Sequence, residues 1–308
     1  MSDRVTPNAE APWVFSLQPH PLLEPLTVAL DAQPGHLESR QFPDGEFYLR
    51  VCSTVENRRC VVVADLSHPD EKYLPLIFLL ETLRELGASE VGLIAPYLSY
   101  MRQDCRFADG EAITSRIFAQ SLSRHIDWLV TVDPHLHRYH TLDEIYTVPS
   151  RVVQGAPALA QWLTTKNNLL LVGPDSESEQ WVSSIAGFSQ HPYVIGEKHR
   201  FGDRHVEVIL PDIEVYRDRT AVIIDDVISS GQTILQCVQA LQSRGIDKIQ
   251  CVAVHGIFAD DSDKALIVAG LSQLVTTNTV PHPTNAIDIT PQLLPAVIEL
   301  LQRTQNTG

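Results

Sequence analysis

Residues 220–236 read TAVIIDDVISSGQTILQ. The apolar run Ala221–Ile224 ends in two adjacent acids, Asp225 and Asp226, and a Ser-Ser-Gly turn then leads into a segment of helical character. A short continuous apolar run rich in β-branched residues reads as a strand buried on both faces, which is the strand type of a parallel sheet covered by helices. The turn at its carboxyl end opens a helix, where unpaired N–H groups and the positive end of the dipole favour an anion. Ser229, Ser230 and Thr233 add hydroxyl donors. A phosphate does not sit against Asp225 and Asp226, but sugar hydroxyls do, because ionised carboxylates only accept hydrogen bonds. Two readings follow. Either the acids merely cap the turn or pair with cations, or one ligand offers hydroxyls to the acids and phosphate to the turn, as a pentose phosphate does.

The same grammar extends in both directions. RCVVVADL, EVGLIAPYL and DWLVTVD read as strands; DEKYLPLIFLLETLRELGA and ITSRIFAQSLSRH read as helices between them. In the first helix Leu76, Leu79, Leu80, Leu83 and Leu86 recur at helical spacing, with Gly87 as C-cap; Thr114 or Ser115 is available to cap the second. The pattern restarts after a helix near Ala156–Leu163: NLLLVGPD, HPYVIGEK, TAVIIDDV and KIQCVAVHG as strands, SEQWVSSIA as a helix, and RHVEVIL as a flap or edge strand. LVTTNTV is expected to be the last strand and TPQLLPAVIELLQR the closing helix. The chain therefore reads as α/β, with two similar domains, each a mainly parallel sheet flanked by helices. The boundaries are expected at 1–155 and 156–308, with the closing helix able to pack back on the first domain. Ligands in such sheets collect at the carboxyl ends of strands. This directs attention to Asp133–Arg138, Gly173–Glu177, Lys198–Arg204 and Asp225–Thr233.

Composition narrows the partners. The 308 residues carry a formal charge of −15, with 44% apolar and 20% charged residues, a globular balance without the broad basic face a nucleic-acid binder needs. No apolar run approaches the roughly 20 residues of a membrane span. The start, MSDRVTPNAEAPW, has no apolar region of a signal peptide, so the expected location is the cytoplasm. Cys52, Cys60, Cys237 and Cys251 lie in or beside apolar runs and are expected in the core, whereas Cys105 lies in a polar loop.

Five more loops carry chemistry. FPDGEFYLRV spans 42–51, PYLSYMRQDCRFADGEAITSR spans 96–116, VDPHLHR spans 132–138, and GEKHRFGDRHVEV spans 196–208, with VGPDSESEQ at 172–180 as a further strand-end loop. Each has a plain reading: a turn between strands, a loop histidine pair, a solvated basic loop. His–x–His without a third ligand at suitable spacing is a weak zinc signal. In order along the chain, however, they resemble the ribose-phosphate diphosphokinases, from about Phe15 to Leu301. The 220–236 stretch alone is also similar to type I phosphoribosyltransferases. The resemblance implies a phosphoribosyltransferase-like fold in both domains. It places Phe42 against adenine, with Asp44 and Glu46 on the base edge, supplied to a neighbouring subunit, and Arg102, Gln103 and Asp104 in the nucleotide loop. It assigns His135 and Asp175 to Mg²⁺, Asp225 and Asp226 to ribose hydroxyls, and Ser229, Ser230, Gly231, Gln232 and Thr233 to the 5-phosphate. Lys198 and Arg200 fall on a catalytic flap. His137 is read as a loop histidine. Gln232 stands where the family usually has glycine, and Cys105 where a basic residue is common. The implied substrates are ATP and ribose 5-phosphate, with Mg²⁺ as cofactor and no nucleic-acid or membrane partner. The implied assembly is a homo-oligomer, at least a dimer and up to a hexamer. The alternatives are a phosphoribosyltransferase and a non-catalytic regulatory relative of a synthase.

Overall fold

The structure, a computed structural model, describes residues 11–136, 138–201 and 205–303, with the backbone only along 198–201 and 205–207. It divides into two compact units. Gln154–Ile289 forms one; the chain before it, together with the segment from Thr290, forms the other.

The first unit contains β1 (Trp13–Phe15), α1 (Leu23–Ala29), β2 (Gln33–Pro34), β3 (Leu37–Gln41), β4 (Phe47–Val51), β5 (Arg59–Val63), α2 (Tyr73–Glu85), β6 (Glu90–Ile94), α3 (Thr114–Leu122), β7 (Trp128–Val132) and β8 (Ser150–Val153). Six strands form a parallel sheet in the order β2-β1-β5-β6-β7-β8, and β3 and β4 make a separate antiparallel hairpin. Strands β6 and β7 are buried throughout, as continuous apolar runs in a doubly covered sheet require. On one face Leu76, Leu79, Leu80 and Leu83 of α2 and Phe118 and Leu122 of α3 pack with Val62, Leu93 and Leu129. Each such leucine contributes about 1.5–3 kcal/mol by leaving water. Helix α2 ends as expected: Gly87 has φ +88°, and its N–H donates to Arg84 O at 2.9 Å. Helix α3 does not use the expected cap, for neither Thr114 nor Ser115 caps it through a side chain. Ser115 is buried and its hydroxyl instead lies 3.2 Å from Tyr139 Oη.

The second unit contains α4 (Ala156–Thr164), β9 (Leu169–Gly173), α5 (Glu179–Ser189), β10 (Tyr193–Ile195), β11 (Glu197–Phe201), β12 (His205–Ile209), β13 (Thr220–Ile228), α6 (Gln232–Ser243), β14 (Ile249–Gly256), α7 (Ser262–Val268), β15 (Leu271–Thr277) and β16 (Asn285–Ile287). Its parallel sheet has the order β10-β9-β13-β14-β15-β16, and β11 and β12 form a separate antiparallel ribbon. The strand orders of the two units follow one plan, each with its ribbon inserted between the second and third strands of the sheet. Two sequence expectations change. HPYVIGEK is not one strand but breaks at Gly196, where a Cβ would lie 2.8 Å from Val208 and 2.9 Å from Pro174 O. LVTTNTV is not the last strand either, because the three-residue β16 adds beside β15; so short an element has no periodicity to read.

The chain closes with α8 (Thr290–Arg303), which packs on β7, β8 and α1 of the first unit. Leu293, Val297 and Leu300 face inward, Arg59 donates to Leu301 O at 3.0 Å, and Arg151 Nε donates to Glu299 at 3.0 Å. Among the cysteines, Cys60, Cys237 and Cys251 are buried, but Cys52 is exposed. It follows β4 on the hairpin, outside the covered sheet, so its place beside an apolar run did not make it a core residue.

Leu293 is fully buried. Leu293→Ala is expected to destabilise the first unit by about 2–5 kcal/mol, measured as a lower urea midpoint for that unit's transition.

Candidate active site

In the second unit the chain leaves β9 toward β10 on one side and returns to β13 on the other, so the strand order reverses between β9 and β13. Carboxyl ends at such a reversal leave a crevice. The acids picked out by sequence lie there. Asp175 follows β9 and Pro174, and its carboxylate accepts from Ser178 N–H at 3.3 Å. Asp225 and Asp226 lie inside β13, near its carboxyl end, where Asp226 N–H donates to Asp225 at 3.0 Å and Val227 N–H donates to Asp226 at 2.8 Å. Burial, then the charge and hydrogen bonding of Asp226, push the Asp225 carboxyl well above its ordinary range, with Asp175 adding in the same direction. Three acids within electrostatic reach form a site that a cation or a hydroxyl-bearing ligand would relieve.

The turn that follows is held from beneath. Ser262 Oγ donates to Ser229 O at 2.8 Å, and Ala259 N–H donates to the same oxygen at 3.1 Å. Gly231 has φ +71°, and a Cβ there would lie 3.2 Å from Leu266. Both the backbone conformation and the close packing of α7 favour glycine. Helix α6 starts at Gln232, with no acid in its first turn to compete for an anion. Gln232 is exposed, so the larger side chain is accommodated without entering the packing under the turn.

The ribbon begins beside Asp175: Gly196 N–H donates to Gly173 O at 2.8 Å. Lys198 and Arg200 pair with Val208 and Val206 across β11 and β12, and residues two apart on a strand share a face. Their side chains lie outside the described residues.

The residues that the resemblance assigns to the nucleotide lie in the first unit. Phe42, Asp44 and Glu46 occupy the tip of the β3–β4 hairpin, closed by Phe42 N–H to Glu46 O at 2.7 Å and by Gly45 at φ +91°. Arg40 stacks over the Phe42 ring at 4.5 Å and over Tyr48 at 4.6 Å. Arg102 is exposed and Gln103 half-buried, but the Asp104 side chain is only 1% exposed. Its Oδ1 accepts from Arg138 at 2.7 Å, and Tyr139 Oη donates to Asp104 O at 3.2 Å. These bonds tie the loop before α3 to the loop after β7. His135 lies in that second loop with φ +52°, and Asp133 has φ +35°, both in the left-handed region that non-glycine residues avoid. Such strained positions concentrate at functional sites. His137 lies outside the described residues.

Arg138 is the residue that sequence reading did not single out. Asp104 fixes one arm of its guanidinium, the Phe107 ring lies 5.2 Å away, and 53% of the side chain stays exposed. This is a preorganised arginine beside the loop that precedes α3. Its place at the edge of a strand-end loop was the only signal in sequence. Arg106, in contrast, donates to Glu111 O at 2.8 Å within its own loop.

Among the described residues no group of three or more His, Cys, Asp and Glu side chains is arranged to hold a metal by itself. Mg²⁺ commonly binds through one or two carboxylates plus substrate phosphates. Asp175 and the Asp225–Asp226 pair, hard oxygen donors with mutual repulsion to relieve, fit that mode.

Comparison with known proteins gives one answer. Residues 13–125 match the model of the N-terminal domain of ribose phosphate pyrophosphokinase, and 141–282 match the phosphoribosyl transferase domain. The ribose-phosphate pyrophosphokinase of Methanopyrus kandleri is 33% identical over 279 residues, covering 89% of this chain and 94% of that protein. The one from Methanothermobacter thermautotrophicus is 32% identical, covering 83% and 88%. In fold, the chain is similar to the phosphoribosylpyrophosphate synthetase of Mycobacterium smegmatis, with a TM-score of 0.80 and 22% identity over 96% of this chain.

Because Asp225 holds its proton more tightly when folded, the folded state binds more protons than the unfolded one above the ordinary carboxylate pKa of about 4. This costs stability as pH rises through that window. Asp226→Asn removes the neighbouring charge, so it is expected to raise the melting temperature by a few degrees at pH 7–8 and to have little effect below about pH 4. Thermal melts of both proteins across pH check the sign.

Proposed function

The chain belongs to the ribose-phosphate pyrophosphokinase family, and on that premise we propose how its residues transfer the diphosphate of ATP to the anomeric hydroxyl of ribose 5-phosphate, giving 5-phospho-α-D-ribose 1-diphosphate and AMP. The observation that carries the assignment is the strand-end acid pair Asp225–Asp226 running into the Gly231 turn and α6, with Asp175 on the neighbouring strand end. Asp225 and Asp226 accept hydrogen bonds from the ribose hydroxyls. The N–H groups and hydroxyls of Ser229, Ser230, Gly231, Gln232 and Thr233, together with the α6 dipole, hold the 5-phosphate. The sugar is thereby gripped at both ends, and its anomeric oxygen is oriented for attack on the β-phosphorus with AMP as leaving group. In such transfers positioning and charge stabilisation supply most of the rate.

On the nucleotide side, Phe42 stacks on the base with Asp44 and Glu46 at its edge. Arg102, Gln103 and Arg138 contact the phosphates, and Asp104 acts through Arg138 by holding it in place. The preorganised fork of Arg138 suits phosphate oxygens. Lys198 and Arg200 stabilise charge on the transferring group. His135 and Asp175 are the proposed magnesium-contacting residues of their respective units. When bound, magnesium neutralises phosphate charge and polarises the reacting phosphorus. We assign no dedicated general base.

The exposed hairpin tip is suited to serve a second copy, and a homo-oligomer of at least two chains is part of the proposal. Leu74 and Phe78, exposed one turn apart on α2, offer apolar surface for association. No helix among the described residues is long and apolar enough to cross a membrane. A cytoplasmic location belongs to the same reading.

The central test is product formation by the purified protein with Mg²⁺, ATP and ribose 5-phosphate. AMP is expected to appear with no base acceptor present, whereas no AMP from this mixture, but AMP from 5-phosphoribosyl 1-diphosphate and adenine, would identify a phosphoribosyltransferase. Lys198→Ala is expected to lower kcat about 100-fold or more, with KM for ribose 5-phosphate changed less than about threefold. Arg138→Gln is expected to raise KM for ATP about tenfold or more and leave KM for ribose 5-phosphate unaltered. Equal shifts in both constants would remove Arg138 from the nucleotide site.

A further inference from the structure

The strand-order reversal of the second unit has a counterpart in the first. There the chain leaves β1 toward β2 and returns to β5 on the other side. The crevice at the carboxyl ends of β1 and β5 holds a cavity of about 310 Å³, within the range of small-molecule sites. Ser39, Gln41 and Phe47 of the β3–β4 hairpin line it from above. That hairpin stands at the position in chain order that the β11–β12 ribbon occupies in the second unit. No residue assigned to ATP, ribose 5-phosphate or Mg²⁺ lines this cavity.

Two of its lining groups, Asp65 and Lys72, are bonded to each other and to Ser67 behind the wall. Lys72 Nζ donates to Asp65 at 2.5 Å and to Ser67 Oγ at 3.0 Å, while Ser67 N–H donates to the other Asp65 oxygen at 2.9 Å. The Asp65 and Lys72 side chains are only 12% and 21% exposed. A largely buried ion pair is often no better for stability than apolar side chains of the same volume, so stability alone gives little reason to place one at the mouth of a strand crevice. Asp65 follows β5 as Asp225 and Asp226 close β13, which places an acid at the same kind of strand end in both units.

The charge balance selects the ligand. Lining the cavity, Asp65 and Glu71 carry two negative charges against one on Lys72, with a neutral His20 as the remaining titratable group, and the Lys72 ammonium is already paired. A phosphate would meet net repulsion. Gln18, Ser39 and Gln41 can each give and accept hydrogen bonds, and Val62, Leu66 and Phe47 supply an apolar wall. This combination suits an uncharged ring bearing several hydroxyls.

We propose that the β1–β5 crevice of the first unit is a second small-molecule site, for an uncharged ribosyl group supplied as a free pentose or a nucleoside, and that its occupancy steadies the β3–β4 hairpin. The choice of a ribosyl group rests on the sugar-binding reading of the second unit; the cavity and its charge balance do not. A ligand there touches the inner face of the hairpin, through Ser39, Gln41 and Phe47, while the outer face carries the Arg40–Phe42–Tyr48 stack. Filling the cavity therefore bears on the segment proposed to hold adenine.

The test is hydrogen exchange on the full-length chain titrated with D-ribose, adenosine or inorganic phosphate. D-ribose is expected to slow exchange in segments 37–51 and 64–72, about tenfold at ten times its dissociation constant, and phosphate is expected to leave both unchanged. Protection of 64–72 by adenosine without D-ribose would identify a nucleoside as the source. Ser39→Phe, a cavity-filling change on the exposed hairpin, is expected to abolish the protection. Gln41→Leu provides a second, smaller change should the first disturb the hairpin. Asp225→Asn is expected to leave protection intact while removing AMP formation. No protection of 64–72 by either sugar, or protection lost in Asp225→Asn but kept in both hairpin variants, overturns the proposal. Failure of the second-unit reading shows separately, as undiminished AMP formation by Asp225→Asn.

Discussion

Like charges forced together at the end of a buried strand are the constraint on which the second unit is organised. Asp225 and Asp226 cannot separate, because they are consecutive residues of β13, and β13 is paired on both sides by β9 and β14. Burial and mutual repulsion hold the Asp225 carboxyl well above its ordinary range. A free protein with this arrangement is less stable than it need be, and stability given up locally is characteristic of sites built for a ligand. The turn after β13 supplies the opposite polarity, with N–H groups and a helix dipole. Repulsion and attraction stand a few residues apart, which suits a ligand that is itself polar in two senses.

The two units solve one folding problem in the same way and differ in what they place at the solution. Each has a parallel sheet whose strand order reverses between two neighbouring strands, and each inserts an antiparallel ribbon at the same point of the chain. In the second unit the reversal carries the adjacent acids Asp225 and Asp226 with Asp175 on the neighbouring strand end, and the ribbon carries Lys198 and Arg200. In the first the reversal carries a compensated pair, Asp65 with Lys72, and the hairpin presents Phe42 at its exposed tip. The chemistry therefore diverged in the loops while the sheet plan was kept. This agrees with the sheet interiors, where apolar residues leave little room for change, and with the strand ends, where side chains are free to vary.

Much of this was legible because it depends on local rules. Apolar runs such as Val222–Ile224 and Leu170–Val172 had to be doubly covered strands, and the leucine spacing of α2 had to make a helix. The Asp-Asp-turn-helix order pointed to the carboxyl end of β13 before any strand order was known, and the strand reversal between β9 and β13 lies there. Other readings failed where local rules compete with tertiary contacts. Ser115 is a good capping residue by type, but Tyr139 engages its hydroxyl. Cys52 follows an apolar strand, yet that strand belongs to a hairpin rather than to the covered sheet. Strand β16 is too short to carry a pattern and exists because β15 offers it an edge.

Consecutive residues alone carried the α/β class, the repeated plan, and the order of acids, turn and helix start at 225–233, because strand burial, helix periodicity and helix-end electrostatics are local properties. Only the tertiary structure decided that Asp104 is buried against Arg138, that Gln232 stays exposed, and that the first unit encloses a cavity beside Asp65 and Lys72. Each of these depends on residues distant in sequence being packed together, and the geometry of that packing is not written in any single stretch of the chain.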